Sequence, residues 1–579
     1  MDARNDIIEL LAHLTGLPEE QLNPALEIPP AGMGDYALPC FKLSKAMRKA
    51  PPAIAADIAG RAAAEGNLPP SLDRIEAIGG YVNFFLRQGA YTAGVVRSAL
   101  EAGPNLGCSD EGRGKPVVLE YSSPNIAKPF HVGHAFTTVI GHSLSRIYAH
   151  LGYPVIRMNH LGDYGTQFGK LISAYLRWGD EAALEAAPID ELFRIYVKFH
   201  KEAEEHPELE DEGRMYFRRL EEGSEREVSI WQRFKDLSLR EFERLYRRLG
   251  VTFDNYNGES FYSDQIPAVV DMLREKGLLE ESQGAMVVRL DEEGMPPCIV
   301  LKSDGTTIYA SRDIAAALYR MREFHFHKNI YVVGTPQALH FRQVFAVLRK
   351  AGFVFADDCV HIGFGLLRFA DAKFSTREGN VILLEDLLDQ AVAKTYEIIV
   401  RNSEQRGTGM DDAEMRAIAE KVGIGAVIYT YLRNGRERDI VFSWEDMLDF
   451  EGDTAPYVMY TYARIRSILR KALEAGTDPA GVSDAQLLRL DLPEEFEIAR
   501  QLDGFGDAVR RAAAEYEPFQ LTRQIGGLAR LFNKYYNQYS ILSAGDPDLV
   551  TARLALCEAV SSAIRTGTWL LGIEVAERM

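Results

Sequence analysis

Cysteine is scarce in this sequence of 579 residues, and its pattern excludes two kinds of site. The five cysteines are scattered along the chain, and none of them shows the Cys-x-x-Cys spacing: Cys40, Cys108, Cys298, Cys359 and Cys557. An odd number without regular spacing indicates neither a disulfide framework nor a zinc ribbon. We therefore expect a reducing compartment, the cytoplasm, and no structural metal ion.

Long apolar runs are also missing. A membrane-spanning helix needs about 20 consecutive apolar residues, and no segment of the chain reaches that length. The first segment, MDARNDIIELLAHLTGL, is acidic and helical in period, whereas a secretory leader has a basic stretch followed by an apolar one. The sequence predicts a cytoplasmic protein that makes no membrane contact.

An excess of positive charge is absent as well. Lys and Arg number 65 against 84 Asp and Glu, which gives a formal net charge of -19. Such a chain does not hold a polyanion by bulk attraction, although local basic clusters can still contact phosphates. Composition alone therefore disfavours a nucleic-acid partner, and only specific motifs can reverse that expectation.

The chain is long enough for several domains, and its patterns divide it into three. Residues 1–105 combine helical patterns with a strand-like segment, IEAIGGYVNFFL, and predict a small α+β domain. Residues 115–450 alternate short apolar strands with helices, as in a parallel α/β sheet, interrupted by a charged helical insertion at about 186–300. Residues 451–579 show only helical periods and predict an all-α bundle.

The segment SSPNIAKPFHVGHA, residues 122–135, joins the predicted strand VVLEY to the next helix. Parallel sheets bind ligands at this edge, and a helix N-terminus attracts phosphate. His131 and His134 are three residues apart on one helical face, and Gly133 between them lets a flat base or ribose approach the backbone. Two surface histidines at a helix start are the plain alternative, and a zinc pair would need a third ligand nearby. The pattern favours chemistry at a nucleotide phosphate, and it is shared by several small nucleotidyltransferases.

A second segment, AKFSTREGN at residues 372–380, follows the predicted strand VHIGFGLL. It resembles the KMSKS loop of class I aminoacyl-tRNA synthetases, and HVGH resembles their HIGH motif. The resemblance implies a class I Rossmann-like catalytic domain with a helical insertion, and ATP bound with Mg²⁺ as a substrate complex.

Further segments resemble the arginyl-tRNA synthetase family. They are EYSSPNIAKPFHVGH, VIRMNHLGDYGTQFGKL, SDGTTIYASRDIAAALYR, NGRERDIVFSWEDML, LLGIEVAERM and the N-terminal GDYALP and GGYVNFFL. The resemblance implies that L-arginine and ATP form arginyl-adenylate, and that arginine then passes to the 3'-terminal ribose of tRNA(Arg). It also implies tRNA-dependent activation, an N-terminal domain at the tRNA elbow, a bundle that reads the anticodon, and a monomer.

The guanidinium group of arginine is a planar fork of five donors, which calls for carboxylates and amide oxygens. Glu120 ends the first predicted strand, Gln337 follows a later one, and Tyr309 and Asp313 share a helical face. Taken singly, Tyr309 could be core packing and Asp313 a solvated charge. The resemblance assigns Glu120, Asp313 and Gln337 to the guanidinium group, Tyr309 to its face and Asn125 to the α-amino group.

By the same resemblance, two further sets of residues act on ATP. The catalytic set is Lys128, His131, His134 and Lys373, and the ATP-binding set is Gly133, His340 and Ser375. In the usual KMSKS loop the second lysine contacts the phosphates, but Thr376 occupies that position here and Glu378 adds negative charge. We expect Lys128, just before HVGH, to supply the missing cation.

The predicted bundle combines aromatic and basic residues, which suit unstacked RNA bases. They are Tyr457, Tyr460, Tyr462, Arg464, Arg466, Lys534, Tyr535 and Tyr536. Tyrosines at helical spacing are often core, so the prediction covers the region rather than each residue. An inactive synthetase paralogue that binds RNA, or a free nucleotidyltransferase, remains an alternative function.

Overall fold

The computed structural model describes residues 3–30, 32–303, 308–369, 382–407 and 409–579. Its N-terminal part is an antiparallel sheet flanked by helices, as the sequence predicts. The strands run in the order β1-β3-β2, and Gly79 (φ +59°) and Gly80 form the predicted turn between β2 and β3. The elements are α1 (Ala3–Thr15), α2 (Glu19–Leu22), β1 (Tyr36–Pro39), α3 (Ser44–Met47), α4 (Pro51–Glu65), β2 (Leu72–Ile78), β3 (Tyr81–Leu86) and α5 (Gln88–Ala102).

The central part of the chain alternates strands and helices around a parallel sheet. Its strands are β4 (Val117–Glu120), β5 (Val155–Met158), β6 (Leu279–Ser282), β7 (Ala285–Val288), β8 (Cys298–Leu301), β9 (Lys328–Val332), β10 (Cys359–Ile362), β11 (Leu367–Phe369) and β12 (Ile440–Phe442). Its helices are α6 (Val132–His150), α7 (Thr166–Trp178), α8 (Glu181–Ala186), α9 (Pro188–Glu205), α10 (Glu208–Glu221), α11 (Glu225–Leu249), α12 (Ile266–Glu275), α13 (Tyr309–Phe324), α14 (Ala338–Lys350), α15 (Leu384–Arg406), α16 (Asp412–Leu432) and α17 (Trp444–Met447).

The parallel sheet has the strand order β10-β9-β4-β5, so β4 lies in its interior. All four residues of β4 are buried, as expected for a strand covered on both faces. Glu120 pairs with Tyr331 on β9 and with Met158 on β5, which sets these three residues at the carboxyl edge of the sheet. The loop after β4 and the start of α6 therefore reach the edge where ligands of such sheets bind.

The insertion is less uniformly helical than the sequence predicts. Helices α8 to α11 fill its first part, but β6, β7 and β8 form a separate three-stranded antiparallel sheet. Each of these strands has only four residues, and β6 carries the exposed Glu280 and Glu281. Strands this short give too few alternations for a period of two to be recognised.

The segment VHIGFGLL, predicted as one strand, is two strands in different sheets. β10 belongs to the parallel sheet, whereas β11 pairs with β12. A Cβ atom at Gly363 would lie 2.8 Å from Thr335 Oγ1, and one at Gly365 would lie 2.6 Å from Arg438 O. Both glycines thus permit a close approach to neighbouring chain, and the strand breaks between them.

The C-terminal part is a helix bundle, as predicted. Its helices are α18 (Ala455–Glu474), α19 (Asp484–Leu487), α20 (Pro493–Asp503), α21 (Phe505–Glu515), α22 (Phe519–Gln538) and α23 (Pro547–Leu570). The segment FEIARQLDGFGDAVRRAAAEY has a continuous helical period but forms two helices, α20 and α21, which are separated at Gly504.

The bundle packs on α6, the helix that begins with HVGH. Ser143 Oγ donates to Leu570 O (3.0 Å), and Tyr148 OH donates to Ala513 O (2.9 Å). The far end of the active-site helix therefore rests on the bundle. In the part of the chain that the structure describes, no helix has both the length and the apolar character that crossing a bilayer requires.

Candidate active site

His131 and His134 stack on each other at the start of α6. Their ring centroids are 3.7 Å apart and the ring planes are inclined by 24°. The Nδ1 atom of His131 accepts a hydrogen bond from Gly133 N (3.1 Å), and Nδ1 of His134 accepts one from His131 N (3.2 Å). The two imidazoles thus satisfy backbone donors that the first turn of a helix leaves free.

These contacts determine which nitrogen of each neutral ring carries the proton. Because each Nδ1 accepts a hydrogen bond, each neutral ring carries its proton on Nε2. Burial, with the neighbouring charges of His131 and Lys128, lowers the pKa of His134 to about 3. Burial and Lys128 also lower the pKa of His131. Near neutral pH the pair therefore presents two Nε2–H donors without positive charge.

Gly133 also has a structural role beside the one that the sequence predicts. A Cβ atom at this position would lie 2.9 Å from Cε1 of His131 and 3.0 Å from its Nδ1. Any side chain here would push the imidazole out of its capping position. The absence of a side chain therefore serves the histidine pair directly.

Asn125 and Lys128 lie in the loop between β4 and α6. Asn125 is exposed and forms an isolated parallel bridge with Gly162, where a Cβ atom would lie 2.1 Å from Asn125 Oδ1. Lys128 is half-buried, and its Nζ lies 5.8 Å from the ring centroid of Tyr196 on α9. The side chains of Asn125 and Lys128 thus lie close to other parts of the chain.

His340, which the sequence assigns to ATP, is hydrogen-bonded to Asp313, which the sequence assigns to arginine. His340 Nε2, on the first turn of α14, lies 2.5 Å from Asp313 Oδ2 on α13. Burial raises the pKa of Asp313, but the hydrogen bond and charge of His340 outweigh it and keep that pKa below its usual value. Asp313 is therefore an ionised carboxylate at neutral pH.

Glu259 is a further carboxyl group near Asp313 that the sequence interpretation missed, and these two residues are called the acidic pocket below. Its carboxylate lies 3.2 Å from Nη1 of Arg312, the neighbour of Asp313 in the chain. Burial, together with the charges of Asp313 and Asp163, raises the pKa of Glu259 to about 8 even though Arg312 lowers it. A carboxyl group with a perturbed pKa, next to a second carboxylate, marks a functional site.

Asp163 anchors Ser260, the residue that follows Glu259 in the chain. Asp163 is fully buried and accepts hydrogen bonds from Ser260 N and Ser260 Oγ, both at 2.8 Å, and from Lys235 Nζ at 2.7 Å. A Cβ atom at Gly258 would lie 2.6 Å from this carboxylate. In the sequence, only Gly258 pointed to this site, because the insertion around it carries no other motif.

Glu120 does not join this pocket through a free carboxylate. It accepts a short hydrogen bond from Arg320 Nη2, and the side chains of Glu120 and Arg320 are 6% and 0% exposed. A buried ion pair of this kind costs much to break, because either charge alone would be left desolvated. One oxygen of the Glu120 carboxylate, which the sequence assigned to the guanidinium group of arginine, is thus bonded to a guanidinium group of the protein itself.

The remaining predicted residues lie at the margin of the pocket or outside the described residues. Tyr309 begins α13 and is 60% exposed, with the Arg312 guanidinium carbon 5.3 Å from its ring centroid. Gln337 is exposed and ends the short 3-10 helix Thr335–Gln337 before α14. Lys373 and Ser375 lie outside the described residues. Where side chains are described, no three His, Cys, Asp or Glu residues converge as metal ligands would.

The bundle carries a groove of about 1090 Å³ that contains part of the predicted aromatic and basic set. Its lining includes Tyr460, Arg464, Arg470, Lys471 and Tyr536. The Arg464 guanidinium carbon lies 4.8 Å and 5.1 Å from the ring centroids of Tyr460 and Tyr536.

Other predicted members of the set are structural. Tyr535 is fully buried and donates to Glu495 (2.7 Å), while Tyr462 and Arg466 bond to Glu577. The structure thus separates the residues that face the groove from those that stabilise the bundle.

Three family profiles match the chain in succession. The N-terminal domain of arginyl tRNA synthetase matches residues 1–86, the catalytic domain of class I tRNA synthetases (R) matches residues 96–444, and the DALR anticodon binding domain matches residues 458–579.

Known proteins agree with these profiles over the full length. The arginine--tRNA ligases of Clostridium beijerinckii and Clostridium perfringens are each 52% identical to the chain over 580 residues, covering 100% of both sequences. The arginyl-tRNA synthetase structure from Thermus thermophilus has a TM-score of 0.78 at 25% identity and covers 100% of this chain and 99% of its own. That from Plasmodium falciparum has a TM-score of 0.79 at 22% identity, with 100% and 98% covered.

Proposed function

Because this chain belongs to the arginyl-tRNA synthetase family and is an arginine--tRNA ligase, we propose a division of labour among the residues of its active site. In the first reaction an arginine carboxylate oxygen attacks the α-phosphorus of ATP, and the bond to the β-phosphate oxygen breaks. Arginyl-adenylate and pyrophosphate result. In the second, a terminal ribose hydroxyl of tRNA attacks the arginyl carbonyl carbon, and AMP leaves.

His131 and His134 stabilise the first transition state. Their Nε2–H groups face the sheet edge as neutral donors, and donors that are fixed before the reaction stabilise charge that develops on phosphate oxygens. The N-terminus of α6 adds its partial positive charge. Gly133 permits this arrangement, since it leaves room for the His131 ring.

Lys128 supplies cationic charge to the departing pyrophosphate. The loop with Lys373 and Ser375 has Thr376 where relatives place a second lysine, so another cation is needed there. Lys128 precedes HVGH at the same sheet edge. ATP arrives as its Mg²⁺ complex, in which the metal ion neutralises phosphate oxygens, and His340 and Ser375 complete the ATP site.

Asp313 and Glu259 bind the guanidinium group of arginine. Two carboxylates match its fork of donors, and the positive charge of the substrate relieves the repulsion that raises the pKa of Glu259. Tyr309 covers the group, Gln337 accepts from it, and Asn125 holds the α-amino end. Glu120 supports the pocket through Arg320, whose positive charge helps to keep Asp313 ionised.

The three parts of the chain bind tRNA together. We assign residues 1–105 to the tRNA elbow, 115–450 to catalysis and 451–579 to the anticodon. The groove with Tyr460, Arg464 and Tyr536 offers stacking surfaces and positive charge for unstacked bases. We further propose a monomer in the cytoplasm, a reducing compartment with which five free thiols agree.

The single observation that carries this assignment is the placement of the neutral histidine pair and the acidic pocket at the same carboxyl edge of one parallel sheet. Charging of tRNA with labelled arginine tests it, with Asp313→Asn as the impaired variant. Asp357→Asn, an exposed carboxylate paired with Arg349, is the matched control. Wild-type charging by Asp313→Asn, or the same loss in Asp357→Asn, would refute the pocket.

A further inference from the structure

The loop between β4 and α6 has an uncommon backbone. Three of its residues other than glycine occupy the left-handed region: Ser122 (φ +71°), Ser123 (φ +47°) and Ala127 (φ +60°). Such conformations persist only where the surroundings enforce them, and they concentrate at functional sites. The same loop carries Asn125 and Lys128.

One of the enforcing contacts comes from α11 of the insertion. Ala127 N donates to Ser238 Oγ at 2.8 Å, and Ser238 Oγ in turn donates to Phe234 O at 2.7 Å within its own helix. Ser238 is fully buried. The serine hydroxyl therefore has a fixed orientation, and it accepts a hydrogen bond from the backbone of Ala127, the residue immediately before Lys128.

A second contact from the same helix holds the start of the loop, at Ser122. Tyr246 OH lies 2.7 Å from Ser122 Oγ and accepts from Asn159 Nδ2 at 3.0 Å. Ser122 Oγ is also hydrogen-bonded at 2.8 Å to Oγ1 of Thr138, in the second turn of α6. Burial raises the pKa of Tyr246, so its phenol keeps its proton. The start and the middle of the loop are thus bonded to one helix, at residues two turns apart.

We propose that Ser238 and Tyr246 are positioning residues for arginine activation, because they hold the loop in the left-handed conformation that presents Lys128 to the phosphates. Neither side chain needs to touch substrate. The insertion, the part of the sequence with the least distinctive motifs, thereby takes part in catalysis. This inference rests on the role proposed for Lys128 above.

The test uses the full chain and the tRNA-dependent exchange of pyrophosphate into ATP. Ser238→Ala removes the bond to Ala127, and Tyr246→Phe removes the bond to Ser122 while keeping the ring that packs on Phe130 and Phe253. Each should lower kcat on the order of 10- to 100-fold, the range for a displaced catalytic group, with the arginine KM within about twofold of wild type. Ser229→Ala, the same change at an exposed position of α11, should leave both values unchanged.

Combination with Lys128→Ala separates positioning from general stability. In that background neither variant should lower kcat further, because the group that they position is already absent. Losses that multiply with that of Lys128→Ala, or wild-type kcat in both single variants, would overturn the inference alone. If Lys128→Ala itself has wild-type kcat, the role proposed for Lys128 and this inference both fail.

Discussion

His340 Nε2 lies 2.5 Å from Asp313 Oδ2, so a residue expected at ATP and a residue expected at arginine form one hydrogen-bonded pair. The pair joins the first turn of α14 to α13 across the carboxyl edge of the sheet. A change on the ATP side is therefore expected to alter the arginine side.

His340→Ala tests this connection. Without the imidazole, Asp313 loses the hydrogen bond that holds its pKa down, and the burial of its carboxylate then disfavours the ionised form. We expect the arginine KM to rise about tenfold in steady-state exchange assays, the scale of losing one hydrogen bond to a charged group. His327→Ala, an exposed histidine outside the site, is the control. An unchanged arginine KM in His340→Ala would show that the pair does not link the two substrates.

Glu259 predicts a pH dependence of arginine binding. Its pKa of about 8 in the free protein lies above its ordinary value of 4.5, so near neutral pH it is largely protonated. A guanidinium cation favours the ionised form, and binding should release a proton. Arginine affinity should thus increase from about pH 6 to about pH 8, by at most roughly tenfold per pH unit, and then level off.

Calorimetry in buffers of different ionisation enthalpy measures the released proton. Glu259→Gln should flatten the pH profile and abolish the release, since the variant has no proton to lose. An affinity that falls with rising pH in the wild type would contradict the assignment of Glu259 to the guanidinium group.

Loss of the charge of Glu120 should lower the stability of the protein, whereas loss of the charge of Asp313 should weaken arginine binding. Glu120→Gln leaves Arg320 buried without its partner, and we expect the free energy of unfolding to fall by about 3–5 kcal/mol. Asp313→Asn removes a carboxylate that we propose binds the guanidinium group, so its main effect should be on arginine KM. Denaturant unfolding and exchange kinetics on both variants check this. Wild-type stability in Glu120→Gln would indicate that the carboxylate is free for substrate.

The outcome at Glu120 illustrates what sequence patterns can and cannot predict. The position of Glu120 at the end of β4 followed from the strand pattern, and so did the start of α6 at HVGH. The partner of Glu120 did not, because Arg320 lies 200 residues later on α13 and only the folded chain brings them together. Glu259 was missed for the same reason.

Local sequence also could not separate the roles of the bundle tyrosines. Tyr535 and Tyr536 are neighbours, yet Tyr535 is fully buried against Glu495 and Tyr536 is 38% exposed in the groove. Helical period identified the helix, whereas the packing of α20 against α22 decides which face is covered.

A substitution in the groove should weaken the binding of tRNA without affecting arginine or ATP. Arg470→Ala removes an exposed cation from its lining, and we expect a several-fold higher KM for tRNA with a smaller salt dependence. Arginine and ATP KM values should not change. Arg349→Ala, which removes an exposed arginine that does not line the groove, is the control. Equal tRNA KM values in the two variants would assign anticodon binding to another surface.

Arginine-dependent exchange of labelled pyrophosphate into ATP tests the central claim, that the histidine pair and the acidic pocket activate arginine. The full chain is assayed with arginine or with citrulline, which has nearly the same shape but no charge, with and without tRNA. We predict exchange only with arginine and tRNA together, and a preference over citrulline of at least about 10⁴-fold, because citrulline has no positive charge and replaces one donor group of arginine with a carbonyl oxygen, which a carboxylate repels. Comparable exchange with citrulline, or no exchange with arginine and tRNA, would contradict the account.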